Sequence, residues 1–207
     1  MKKMISFLLF LSPLGLFAQF GLQIGLNFTD VTTSASSIST SNSSGFNAGI
    51  FYAPVSTNII SSRTELLFSR QGYNYATGTV TGKVNLDYLT LPQYMCIRIT
   101  KYVLIEVGMQ FSYLLNAKVD SSGQTSSNNP YGQILNYYNR FQYGLGGGLE
   151  VHPFKGLLIG ARVNFSLTNL YADPSSYSSG QQPSYIPSVN TKSNLFQIFT
   201  GWKLGKY

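Results

Sequence analysis

The stretch that decides the fold is "FGLQIGLNFT", Phe20 to Thr29. Leu22, Ile24, Leu26 and Phe28 alternate with Gly21, Gln23, Gly25 and Asn27, so every second side chain is apolar and those between are small or polar. A β-strand turns successive side chains to opposite faces, and this segment therefore presents one face to an apolar medium and the other to a polar or crowded one.

What precedes it identifies a route out of the cell. Lys2 and Lys3 lead into the apolar run "MISFLLFLSPLGLF", then Ala18 before Gln19. This is the three-part layout of a secretory signal peptide, with an apolar run too short to cross a bilayer well. The expectation is a cleaved leader at 1–18 and one domain at 19–207. No Cys follows the cleavage site, which argues against a lipoprotein, and Cys96 stands alone, so no internal disulfide forms. Charged residues are only 10% of the chain, well below a soluble globular protein, and no later apolar run is long enough for a transmembrane helix. The net charge of +7 includes the two leader lysines, and the other bases are scattered. That distribution suits anionic lipid headgroups at both rims of a membrane protein; no nucleic-acid partner is expected.

The opening pattern recurs. Val103 to Leu115, Phe141 to Val151 and Leu157 to Leu167 show it clearly, and weaker versions carry Phe46 to Tyr52, Thr64 to Phe68, Leu89 to Ile99 and Phe196 to Leu204. With the first segment this makes eight, each near the ~9–11 residues that a tilted strand needs to cross a bilayer. The connections alternate in length: long at Val31 to Ser44, Tyr73 to Lys83, Asp120 to Asn139 and Tyr171 to Ser193, short at Pro54 to Asn58, Thr100 to Tyr102 and His152 to Gly156. The expected fold is all-β: an eight-stranded antiparallel up-and-down transmembrane β-barrel in the bacterial outer membrane. Its long loops would lie outside, and its short turns and both termini in the periplasm. A soluble β-sandwich would alternate too, but it explains neither the loop asymmetry nor the aromatic count as directly.

If the apolar phase faces lipid, charge within the strands falls inside. Glu65, Glu106 and Glu150, the only glutamates, lie on the inward phase together with Arg63, Arg98, Arg140, Arg162 and Lys203. Charges in one narrow interior should pair, and eight strands leave room only for side chains. The expectation is a charge network that plugs the lumen; the sharper alternative is a gate or proton path through it.

Four stretches stand out: "GLQIGLNFTD" at Gly21 to Asp30, "TELLFSRQGY" at Thr64 to Tyr73, "LDYLTLPQYM" at Leu86 to Met95 and "RFQYGLGGGLEV" at Arg140 to Val151. In these the chain resembles the PorT-like family of small outer-membrane barrels of Bacteroidota. The resemblance implies the fold and the location. Because that family includes a component associated with type IX secretion, it also implies an alternative role as an accessory subunit of a secretion or surface-assembly complex. Such barrels usually finish in an alternating strand closed by an aromatic residue that the insertion machinery reads. Here Phe196, Ile198, Trp202 and Leu204 share one phase and the terminal Tyr207 has the other.

An enzymatic reading, such as a lipid-modifying barrel, needs a base within reach of a nucleophile at the outer rim. The only histidine, His152, sits before Pro153 in a short turn and reads as a turn residue. "GLGGG" at Gly144 to Gly148 lies inside a strand, where glycine permits close approach, so it is not a phosphate loop. No catalytic, cofactor or metal residues are assigned. The long connections hold Tyr73, Tyr75, Tyr131, Tyr137, Tyr138, Tyr171, Tyr177 and Tyr185 among Ser, Asn and Gly, a mixture that serves either binding loops or a shielding, girdled surface. Tyr131, Tyr137 and Tyr138 are the candidate contacts for a protein partner. The sequence thus reads as a non-enzymatic barrel in contact with lipid and lipopolysaccharide, acting through its external loops.

Overall fold

A sheet whose strands each carry one apolar face and one polar face leaves two raw edges unless its last strand pairs with its first. That closure is what the computed structural model shows, over the described residues 18–33, 39–54, 58–77, 80–122, 133–172 and 191–204. The strands are β1 (Ala18–Thr33), β2 (Ser39–Pro54), β3 (Ile60–Thr77), β4 (Val80–Arg98), β5 (Val103–Ser122), β6 (Phe141–Val151), β7 (Leu157–Ser166) and β8 (Thr191–Leu204), with a 3-10 turn at Gln133–Tyr137. Each pairs antiparallel with its neighbours in chain order, and β1 with β8, into a closed barrel. Paired residues followed around the wall run Phe20, Tyr52, Thr64, Gln93, Met109, Leu145, Phe165 and Asn194, and return to β1 at Asp30. That stagger, from Phe20 to Asp30, tilts the strands steeply against the barrel axis.

The opening stretch behaves as its period demands. Leu22, Ile24 and Leu26 are more than half exposed on the outer surface, while Gln23 and Asn27 are buried within. Residues 1–17 lie outside the described residues, as do Tyr131, Tyr177, Tyr185 and Tyr207; Ala18 already opens β1.

Two of the connections expected to be long are largely strand. The Tyr73 to Lys83 segment is the tip of the β3–β4 hairpin, with rungs from Tyr73↔Val84 to Thr77↔Val80 and only residues 78–79 between the strands. Much of Val31 to Ser44 likewise belongs to β1 and β2. The reason is a reversal of polarity. On the outer face of β3 and β4, the pair Phe68↔Leu89 is followed by Arg70↔Asp87, and beyond come Asn85↔Lys118 and Lys83↔Asp120 between β4 and β5. Inside that part of the barrel, Tyr73, Tyr75, Val84, Leu86, Tyr88, Leu114 and Ala117 form an apolar core. The apolar side chains have changed faces, so a search for outward-facing apolar residues stops too soon. A bulge marks the change on β5: Tyr88 pairs with Leu114 but Asp87 with Asn116, and the extra Leu115 re-aims the residues that follow.

Candidate functional site

The midsection of the barrel is packed around Arg63 of β3. Its Nε lies 2.8 Å from Oε1 of Glu65, and its Nη1 donates to Glu106 of β5 at 3.2 Å and to Glu150 of β6. Nη2 donates to Gln23 of β1 at 2.5 Å. Glu65 is shared: Nη2 of Arg162, from β7, reaches the same Oε1 at 3.1 Å. Both guanidinium groups lie over aromatic faces. Arg63 is 4.3 Å from the centre of the Phe51 ring, and Arg162 is 4.0 Å from that of Phe199. Five charged side chains from four strands are thus fully enclosed, with arginines and glutamates interleaved, the only arrangement in which such charges are tolerable away from water.

The glycines of β6 make room for this. A Cβ on Gly148 would fall 2.6 Å from Cβ of Arg162, and one on Gly146 would fall 2.0 Å from Oδ1 of Asn164 and 2.8 Å from the Tyr94 hydroxyl. The "GLGGG" segment is therefore the recess into which neighbouring side chains fold. Toward the far end, away from the termini, lies a layer of amides and hydroxyls. Asn27 accepts from Asn47 at 2.7 Å and from Gln197 at 2.9 Å, and Tyr94 donates to Asn164 at 2.6 Å. A cavity of about 30 Å³ among Gln71, Gln110, Ser112, Gln142 and Ser193 is water-sized rather than ligand-sized.

At the far end the aromatic core is closed by three tyrosines. The Tyr73 hydroxyl bonds those of Tyr138 at 2.8 Å and Tyr171 at 2.7 Å. Tyr138 and Tyr171 form an isolated bridge, Asn139 donates to the carbonyls of Asn169 and Tyr171, and Ala172 N–H donates to Tyr137. The connection between β5 and β6 is thereby fastened to that between β7 and β8.

Of the eight residues expected in the charge network, Arg63, Glu65, Glu106, Glu150 and Arg162 meet in the interior. Lys203 is half-buried on the inward row toward the termini. Arg98 and Arg140 are exposed, because each stands at a strand end where the inward phase opens to solvent at the mouth. Tyr138, expected as a loop contact, is buried, as are Tyr73, Tyr75 and Tyr171; Tyr137 is half-buried against the same core. His152 does more than turn the chain, since its Nε2 bonds Glu150. Gln23, Phe51 and Phe199 were not legible as members of the site. Their signal was only an inward phase shared with the charges.

The family model described as "Outer membrane protein beta-barrel domain" matches residues 12–172. The chain belongs to this family. Its outward apolar faces are accordingly lipid-facing, and among solved structures it shares its fold with small bacterial outer-membrane barrels. Neisserial surface protein A is 14% identical over 90% of this chain and 99% of that one, with a TM-score of 0.51. The attachment invasion locus protein Ail of Yersinia pestis is 16% identical over 91% and 100%, at 0.49. OprG of Pseudomonas aeruginosa is 12% identical over 92% and 97%, at 0.46. No curated protein matches the chain in sequence. Among the described residues, no group of three His, Cys, Asp or Glu side chains is placed to hold a metal ion.

Proposed function

We propose that this outer-membrane barrel is a closed, non-enzymatic scaffold, exported by its leader and inserted with both termini in the periplasm, whose far end meets an external partner. The observation that carries the reading is the fastening of the β5–β6 and β7–β8 connections to one another over a tyrosine-closed core. The described parts of these connections, within 133–140 and 167–172, are held in place before they meet a ligand, which lowers the ordering cost of binding. The enclosed charge cluster and amide layer support a plugged lumen, because together they occupy the section where a pore would run.

The motifs that resemble PorT-like barrels support a more specific version, in which the partner is a component of a secretion or surface-assembly complex of the type IX kind. Chemical crosslinking in the native outer membrane, followed by mass spectrometry, tests both versions. A stoichiometric protein crosslinked at the far-end connections is expected, and deletion of 123–132 should abolish it. Recovery of lipopolysaccharide and abundant neighbours alone would reject the scaffold role. Conductance across a planar bilayer tests the plug separately: neither the native protein nor Glu106→Ala should form channels, and discrete openings in the variant alone would make the network a gate.

A further inference from the structure

The lipid-facing surface carries an anomaly on one side. Between the last outward polar pair at the far end and the turns at the other, the outer faces of β1, β2, β5, β6 and β7 are free of hydrogen-bonding side chains apart from Tyr hydroxyls. On β8, Thr200 faces outward but donates to the carbonyl of Leu158 at 3.0 Å, so the wall satisfies it. The pair of strands β3 and β4 differs. Ser62, Thr64 and Gln93 all point outward there, and Gln93 is the middle of five outward residues on its strand, with Leu89 and Leu91 on one side and Met95 and Ile97 on the other. Thr64 donates to Oε1 of Gln93 at 2.8 Å. The Gln93 amide nitrogen has no partner among the described residues, and neither has the Ser62 hydroxyl. Lipid tails offer none, and an amide left unbonded in hydrocarbon is costly.

A second observation falls at the same place. Pro92 lies in the middle of β4, where a closed sheet has no edge to accommodate it, and the β3–β4 ladder passes from Thr64↔Gln93 directly to Leu67↔Thr90. A residue without an N–H removes a rung. The β3–β4 ladder is therefore interrupted beside the most polar lipid-facing patch of the wall.

We propose that this patch is a contact surface for a second copy of the chain, centred on Gln93. A side-chain amide is its own complement: it offers two N–H donors and an oxygen with two lone pairs, of which Thr64 uses one. A two-fold axis parallel to the barrel axis keeps both copies in the same membrane orientation and brings Gln93 against its counterpart. Each Nε2 then donates to the opposite Oε1, and the anomaly is removed on both sides at once. No charged side chain lies in the patch to demand a differently charged partner. The surrounding Leu66, Met95, Val107 and Met109 are apolar, and the two methionines adapt readily to a facing wall.

The test uses the full chain in its native outer membrane, with a single reporter cysteine at Leu66→Cys beside the patch or at Val163→Cys on β7. The native Cys96 is buried inside the barrel and serves as a silent background. Mild oxidation and a non-reducing gel read the linked dimer. Leu66→Cys should give about tenfold more dimer than Val163→Cys, and adding Gln93→Leu should remove that excess, the size expected of two hydrogen bonds between membrane segments. A heat-shifted band shows that each variant is folded; Gln93→Met replaces Gln93→Leu if the latter lacks it. Equal dimer from both reporters, dimer that persists without the amide, absence of dimer, or linkage of Leu66→Cys only to a different protein would each overturn the proposal.

Discussion

Two sections of the same barrel solve opposite problems with the same strands. In the midsection the outer face is apolar apart from the patch of Ser62, Thr64 and Gln93, and the interior holds Arg63, Arg162 and three glutamates. Toward the far end the outer face carries Arg70, Asp87, Lys118 and Asp120, and the interior is Tyr73, Tyr75, Val84, Leu86 and Leu114. Where water lies outside, burial of apolar surface is the stabilising term, and the interior must be apolar. Where lipid lies outside, apolar side chains gain nothing by turning inward. A polar interior then keeps the strands from becoming the long apolar runs that a membrane would accept as helices. The medium outside the wall decides what stands inside it.

The comparison breaks first at Arg63. Arg63→Met leaves three buried carboxylates around an apolar side chain, and removing one partner of a buried ionic group costs about 3–5 kcal/mol. We expect the heat-shifted band to weaken or vanish, and urea unfolding in vesicles to show a loss of that size. An unchanged midpoint would mean that the midsection is held by its wall alone. Next in size is the outer face itself. Leu91→Arg places a charge among lipid tails and should cost about 2–4 kcal/mol, whereas Asn85→Arg, on the same face of the same strand beyond the boundary, should stay within about 0.5 kcal/mol. Equal losses would erase the boundary drawn between Asp87 and Leu89.

The far section answers to a smaller change. Tyr73→Phe removes the hydroxyl that joins Tyr138 to Tyr171, at about 1–3 kcal/mol for polar groups left unpaired. Hydrogen exchange should quicken at the amides of Asn139, Leu170 and Ala172 while Gly148 in the midsection stays protected. Quickening at both would show that the two sections unfold as one.

The difference between the sections also explains what could be read from the sequence. The midsection was legible because period-two alternation is a local property of each strand, and because glutamate and arginine on the inward phase have few tolerable fates other than one another. Which of them meet was not legible. Arg63 and Glu150 stand 87 residues apart, and only the closed register brings them together. Arg98 and Arg140 carried the same phase signal but lie at strand ends, a distinction that depends on where each strand stops. The far section is not legible, because its apolar residues cross to the inner face and there read as tyrosine-bearing loops. Gln93 is inconspicuous for a related reason: a single amide within an otherwise apolar row looks like an imperfection in the pattern.

The smallest effect is expected where the two sections meet. Arg70 donates to Asp87 through Nε at 2.6 Å and Nη2 at 3.1 Å, and Asn116 reaches the same carboxylate at 3.4 Å. The pair spans β3 and β4 as the next outward pair beyond Phe68↔Leu89, with the arginine side chain 43% exposed. Its fork geometry is good, but solvent screens it, and exposed pairs are worth about 0–1 kcal/mol. Arg70→Ala should therefore lower the unfolding free energy by no more than that, and the loss should shrink as salt is raised from low to physiological concentration. The contrast with Arg63 is the point of the measurement, since both arginines lie on β3 and both contact carboxylates. If Arg70→Ala proved as damaging as Arg63→Met, and indifferent to salt, the rung at Asp87 would have to be shielded from water, and the boundary between lipid and solvent would lie farther out along the wall than the change of outward side chains implies.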